Sequence, residues 1–163
     1  MHRAYALVPA ILLALPLSAH QVFAQGMKDL VGTWTAVSNE TTLPDGQKIQ
    51  PFGSKPVGIL IFEPEGRYTL QICSPDRPKF ASNNRMQGTP DEYKAAVHGC
   101  TPHWGRYSVE GSNIVFKIEH AMFPNWEGAQ QKRPFTIKGD ELTYKVSVAS
   151  TGGTAELTWK RAK

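Results

Sequence analysis

The chain of 163 residues lacks most of the features that announce chemistry. Its only cysteines are Cys73 and Cys100, so it has no cysteine-rich metal cluster and no multi-bridge scaffold. It has no run of Lys or Arg, and its net charge of +4 is spread along the chain. Nucleic acid is therefore not expected as a partner. There is no G-x-S-x-G elbow, no phosphate-binding glycine loop and no Cys–His pair of nucleophilic type. His98, His103 and His120, taken with Cys100, have no recognised metal-ligand spacing, and neither a metal nor a cofactor is expected. Internal repeats and low-complexity tracts are also missing. One apolar run, Ala4 to Leu17, is too short to cross a bilayer and is broken by Pro9 and Pro16, so no stable membrane insertion is expected.

That run is the first thing present. Arg3 precedes it, and a polar-leaning stretch ending in small residues follows. This is the order of a secretory signal peptide. Val22-Phe23-Ala24 predicts cleavage after Ala24, with Leu17-Ser18-Ala19 as a second possible site. Residues 1–24 are then the signal, and residues 25–163 form one domain. The predicted location is the periplasm or the medium. An even cysteine count in an oxidising compartment favours a Cys73–Cys100 disulfide.

Beyond residue 25 the chain reads as short strands separated by turn chemistry. Strands are expected over 30–38, 57–63, 67–73, 105–110, 114–121, 131–138, 141–148 and 155–162, several of them joined by tight glycine-containing turns. Eight strands at this spacing predict an antiparallel sandwich or barrel. One short helix interrupts them. Thr89-Pro90-Asp91-Glu92 is a capping box with proline at the first helical position, and Gly99 supplies the stop. The helix lies in a long excursion, Ser74 to Trp104, of a size to act as a lid or plug over a barrel end.

Side chains alternate along a strand, so parity sorts residues into faces. Ile114, Phe116, Ile118 and His120 share one face, and Arg133, Phe135 and Ile137 share one in the next strand. Leu142, Tyr144, Val146 and Val148 follow, then Leu157, Trp159 and Arg161, with Tyr68 and Tyr107 on the corresponding faces earlier. Parity thus points His120 and Arg133 inward. His120 closes one strand and Arg133 opens the next, which predicts that both gather at one mouth. A buried charge needs a partner or a ligand. Two uses are compatible with this placement. In one, Arg133 pairs with Glu127 or with loop carbonyls while His120 ties down the same loop. In the other, the two groups fix the polar end of a small molecule in an apolar cavity. Trp104, Phe123 and Trp126 are expected in loops at the rim.

The segments "LVGTWTAVS", "PFG", "GILIF", "EGRYTLQI", "DRPKFA", "GRYSV", "IEHAMFPNWEGAQQKRPF" and "LTWKR" resemble, in that order, the lipocalin-like domain family of bacteria and fungi. The most specific part is H-x-x-x-P-x-W-x-G-x-x-Q-x-R, from His120 to Arg133. The resemblance implies an all-β, eight-stranded antiparallel up-and-down barrel with one short helix in a long loop. Gly32-Thr33-Trp34 is similar to the G-x-W of true lipocalins, which implies that Trp34 closes one barrel end under a cation–π contact from Arg161. The implied function is binding of a small apolar or amphipathic ligand by a monomer or weak dimer. On this reading Tyr68, Tyr107, Phe116, Phe135, Tyr144 and Trp126 line the cavity, and His120 and Arg133 orient a polar end. The alternatives are a cofactor-free isomerase, cyclase or lyase with His120 as acid/base and Arg133 holding an oxyanion, and a structural barrel of the cell envelope filled by its own side chains.

Overall fold

The computed structural model describes residues 26–163, and the signal peptide expected over 1–24 lies outside them. A four-residue helix, α1 (Met27–Leu30), leads into β1 (Gly32–Thr42). Then come β2 (Lys48–Ile49), β3 (Val57–Phe62) and β4 (Arg67–Cys73). After the helix α2 (Pro90–His98) the chain continues through β5 (His103–Glu110), β6 (Asn113–Ala121), β7 (Gln130–Lys138), β8 (Glu141–Val146) and β9 (Thr154–Arg161). All pairings are antiparallel. Each long strand pairs with the next along the chain, and β9 returns to β1. The result is a closed eight-stranded up-and-down barrel, with the two-residue β2 folded against the end of β1. Closure leaves no long unpaired edge.

The eight expected strands are all present, with shifts of two residues or more in three of them. β5 begins two residues earlier than expected, so Trp104 lies in a strand and not in a loop. β8 ends at Val146, and Val148, expected inside, is almost fully exposed in the following turn. β1 runs four residues further than expected, to Thr42. α2 forms where the capping box places it: the Glu92 amide donates to Thr89 Oγ1, and the Thr89 amide donates to Glu92 Oε2 at 2.7 Å. Glu92 also accepts from the Ala81 amide at 2.8 Å. These backbone donors hold its carboxyl below the usual range. No side chain of α2 is buried; it sits on the surface, with Val97 and His98 at the barrel mouth. The Cys73–Cys100 disulfide ties the end of this excursion back to β4.

Strand register arranges the interior in layers. Trp34 pairs with Arg161 at one end. Ala36, Trp159 and Leu142 form the next layer, then Asn39, Leu157, Tyr144 and Phe135. Thr41, Ala155 and Val146 lie nearest the other end. The first layers are packed solid. Trp34, Leu60, Ile114, Phe116, Trp159 and Leu142 have no solvent exposure, and full burial of each such side chain is worth about 1.5–3 kcal/mol. α1 caps this end: Leu30 is fully buried, and its carbonyl accepts from Trp34 Nε1 at 2.8 Å. Arg161 lies over the Trp34 ring at 4.1 Å, as the G-x-W resemblance implies.

Two β-bulges change which side chains face inward. In β1 the register slips between Ala36 and Ser38. Val37 is the extra residue, so parity reverses and Asn39 and Thr41 point inside. In β6 the register slips opposite Trp104 and Gly105. Glu119 is the extra residue, and His120 therefore points outward with Trp104. Gly105 is required there, because a Cβ at that position would collide with the carbonyl oxygen of Lys117 and the amide of Glu119.

Candidate functional site

The open end of the barrel leads into an inner pocket of about 70 Å³. A wider vestibule of about 520 Å³ lies above it. The two share Pro51, Phe52, Thr101, Trp126, Ser150 and Thr151 and form one continuous recess. A water needs roughly 10–15 Å³ of such space, so the inner part takes a few waters or the head of a small molecule. The vestibule has room for a ring or chain. The third sequence alternative, a barrel filled throughout, holds for the closed half only.

Arg133 dominates the inner pocket. It is 4% exposed, and its guanidinium carbon lies 4.5 Å from the Phe116 ring centre and 5.2 Å from that of Tyr144. Nη2 donates to Gln131 Oε1 at 2.7 Å, while Nε has no hydrogen-bond partner. Asn39 Oδ1, Thr41 Oγ1 and the Tyr144 hydroxyl, all lining the same pocket, are also without partners. Burial raises the Tyr144 pKa, partly offset by Arg133. Trp159 and Arg133 lie near that hydroxyl without reaching full hydrogen-bond geometry. Buried polar atoms are nearly always paired, so this cluster marks the site.

His103, on β5, lines the same pocket as Arg133, and the two flank Phe116. It is 2% exposed, and its Nδ1 shares a hydrogen bond with the Tyr68 hydroxyl at 2.9 Å. Burial, and secondarily the Arg133 charge, hold its pKa well below the ordinary histidine value. Burial also pushes the Tyr68 hydroxyl up, against the pull of Arg133. Both tyrosines and His103 are thus neutral near pH 7, and the guanidinium is the charged group among them.

The sequence-based site divides accordingly. Arg133, Tyr144 and Trp126 line the pocket. Phe116 forms the ring under Arg133. Tyr68 acts one step back, through His103. Phe135 is buried beside Tyr144 in the same layer. Tyr107 belongs to the closed half: it packs on Phe62 at 4.6 Å and donates to the Glu63 carbonyl at 2.9 Å.

The inward direction expected of His120 is corrected. The Glu119 bulge turns its side chain to solvent, where it is 62% exposed. Its Nδ1 lies 3.3 Å from Glu127 Oε1, which also accepts from the Ala121 amide. Its ring lies against Trp104 at 4.9 Å. The histidine therefore ties down the Met122–Gly128 loop, while Arg133 takes Gln131 and not Glu127. His120 and Arg133 lie on opposite faces of the sheet, so the acid/base pair imagined from parity is not assembled. Among the described residues no three His, Cys, Asp or Glu converge as a metal-binding group.

Asn39, Thr41 and His103 were missed. The first two lay past the expected end of β1, and a bulge reversed their parity. His103 was legible: extending β5 by two residues puts it on the face of Tyr107.

A closed up-and-down barrel, capped by Trp34 and Arg161 and hollow at the other end, defines a lipocalin-like protein. The lipocalin-like domain profile matches residues 31–162, and the chain belongs to that family. It is similar to the 4'-hydroxy-3'-methoxypropiophenone carrier protein ppsC of Aspergillus oryzae, 26% identical over 105 residues that cover 57% of this chain and 95% of the relative. Among solved structures, a lipocalin-like protein from Bacteroides uniformis gives a TM-score of 0.45 at 13% identity, covering 82% of this chain and 99% of that one. A redesigned β-barrel gives 0.45 at 14% identity, covering 86% and 98%.

Proposed function

We propose that this protein is a binding barrel that takes one small hydrophobic or amphipathic molecule through its open end. The observation that carries this reading is the recess between two unlike halves. One half is packed to zero exposure, while the other holds open space under an apolar rim of Phe52 and Trp126. Ligand sites are concave and largely apolar, with a few converging polar groups, and the orphaned atoms of Asn39, Thr41, Arg133 and Tyr144 supply those groups. Kinship to a protein whose name describes a carrier of a small aryl ketone supports the same reading.

The test is titration with the neutral probe N-phenyl-1-naphthylamine, followed by displacement with 4'-hydroxy-3'-methoxypropiophenone. Saturable fluorescence enhancement at one site per chain is expected, weakened by Trp126→Ala. Absence of saturable binding by either compound would overturn the proposal. The protein works outside the cytoplasm, with residues 1–24 removed. The Cys73–Cys100 disulfide is consistent with an oxidising compartment. The mass of the protein recovered from periplasm or medium checks this: a chain starting at Gln25 is expected, and an intact Met1 in the cytoplasm overturns it.

A further inference from the structure

We infer that the ligand is a small monocarboxylate that enters head first, with its carboxylate on Arg133 and its apolar body in the vestibule. This rests on the binding reading above and adds the charge and the orientation of the ligand.

The argument begins with a charge count. Arg133 is the one Lys or Arg side chain buried among the described residues. No ion pair reaches it there, since the seven salt bridges all involve other side chains. The undescribed residues 1–25 contain no Asp or Glu. A buried guanidinium without a counter-ion is strongly unfavourable. The Phe116 and Tyr144 ring faces offset part of that. The remaining demand is for negative charge, and the unpartnered Nε–H says where it must arrive.

Orientation follows from the layers. The Arg133 guanidinium lies over the fully buried Phe116 and Tyr144 rings and lines the inner pocket but not the vestibule, so it sits at the deep end of the recess. The Tyr144 hydroxyl is a second donor at that floor. The vestibule above is walled by Phe52, Trp126, Met122 and Phe123. A ligand with its charge at the rim would leave the guanidinium and the unpartnered polar atoms beside it unmatched. The inner pocket of about 70 Å³ is large enough to take a planar carboxylate. A planar, two-oxygen anion also matches the guanidinium edge better than a bulkier head does.

Matched pairs of acid and primary amide separate charge from shape. Cinnamate with cinnamamide, and decanoate with decanamide, are titrated by calorimetry into the whole protein, with N-phenyl-1-naphthylamine as the neutral control. Each acid is expected to bind on the order of tenfold to a hundredfold more tightly than its amide. Arg133→Met is expected to abolish that preference, so that acid and amide bind alike, with its fold checked by circular dichroism. Where Arg133→Met does not fold, Arg133→Lys serves, keeping a preference for acids at reduced size. Tyr144→Phe is expected to weaken the acids several-fold. Equal affinity for acid and amide overturns the inference and leaves the binding proposal standing. So does binding of the neutral probe with neither member of a pair. A preference that survives Arg133→Met overturns the assignment to Arg133. If acids, amides and the neutral probe all fail to bind, the binding proposal itself falls.

Discussion

The barrel carries an arginine over an aromatic ring at each end, and the two have opposite surroundings. At the closed end, Arg161 covers Trp34 and spends its hydrogen bonds on α1 and its C-cap: Nη1 donates to the Val31 carbonyl at 2.9 Å and Nη2 to the Asp29 carbonyl at 2.7 Å. Asp140 lies 3.9 Å from its Nε. At the open end, Arg133 covers Phe116 and Tyr144 but has one amide oxygen and an idle Nε. The same chemical group is thus a finished joint in one place and an unfinished one in the other. What separates structure from function here is the number of donors left over, not the residue type.

This contrast can be tested by substitution. Trp34→Ala removes the centre of the finished joint and should cost about 3–5 kcal/mol in urea denaturation; a loss below about 1 kcal/mol would mean that the closed end is not where stability resides. Arg161→Met and Arg133→Met should then move in opposite directions. The first loses about 2 kcal/mol with its carbonyl partners unpaired. The second is neutral or gains about 1 kcal/mol, because it removes an uncompensated buried charge. Equal losses would erase the distinction between the ends.

Gly105→Ala should lower stability by about 1–3 kcal/mol in the same assay, since a methyl group there meets backbone across the β6 bulge. An unchanged midpoint would mean that the bulge can relax. The last effect is a slope. His103 has a folded pKa held below its unfolded value near 6.5, so the unfolded chain binds the proton first. Stability from this group is present above pH 6.5 and is lost at up to about 1.4 kcal/mol per pH unit as pH falls below it. His103→Gln should flatten that part of the stability profile, and an unaltered slope between pH 7 and 5 would remove His103 from the account.

Most of the frame was legible because it depends on local chemistry. Turn glycines, the Thr89–Glu92 capping box, the cysteine pair and alternation within each strand all act over a few residues. The Trp34–Arg161 contact was legible through family resemblance. The mouth was less so, for a physical reason. A bulge is a single added residue with little signature of its own, yet it reverses every inward–outward assignment beyond it. Alternation carried through Glu119 sends His120 the wrong way, and alternation carried through Val37 hides Asn39 and Thr41. Arg133 was placed correctly because β7 pairs with β6 and β8 without a register slip.

The Val37 bulge has a consequence for how this cavity can change. Between Asn39 and Thr41 stands Glu40, now outside and paired with Lys48 at 2.7 Å. Straightening the bulge, with Val37 taken into the ladder opposite Thr158, would swing Ser38, Glu40 and Thr42 inward together and carry Asn39 and Thr41 out. A carboxylate would then arrive in the layer next to the lone guanidinium, and the recess would turn from anion-seeking to electrically balanced without any side chain being exchanged. The selectivity of this barrel is therefore geared to strand register as much as to residue identity, and the kink held in its first strand is what keeps a carboxylate out of the cargo space.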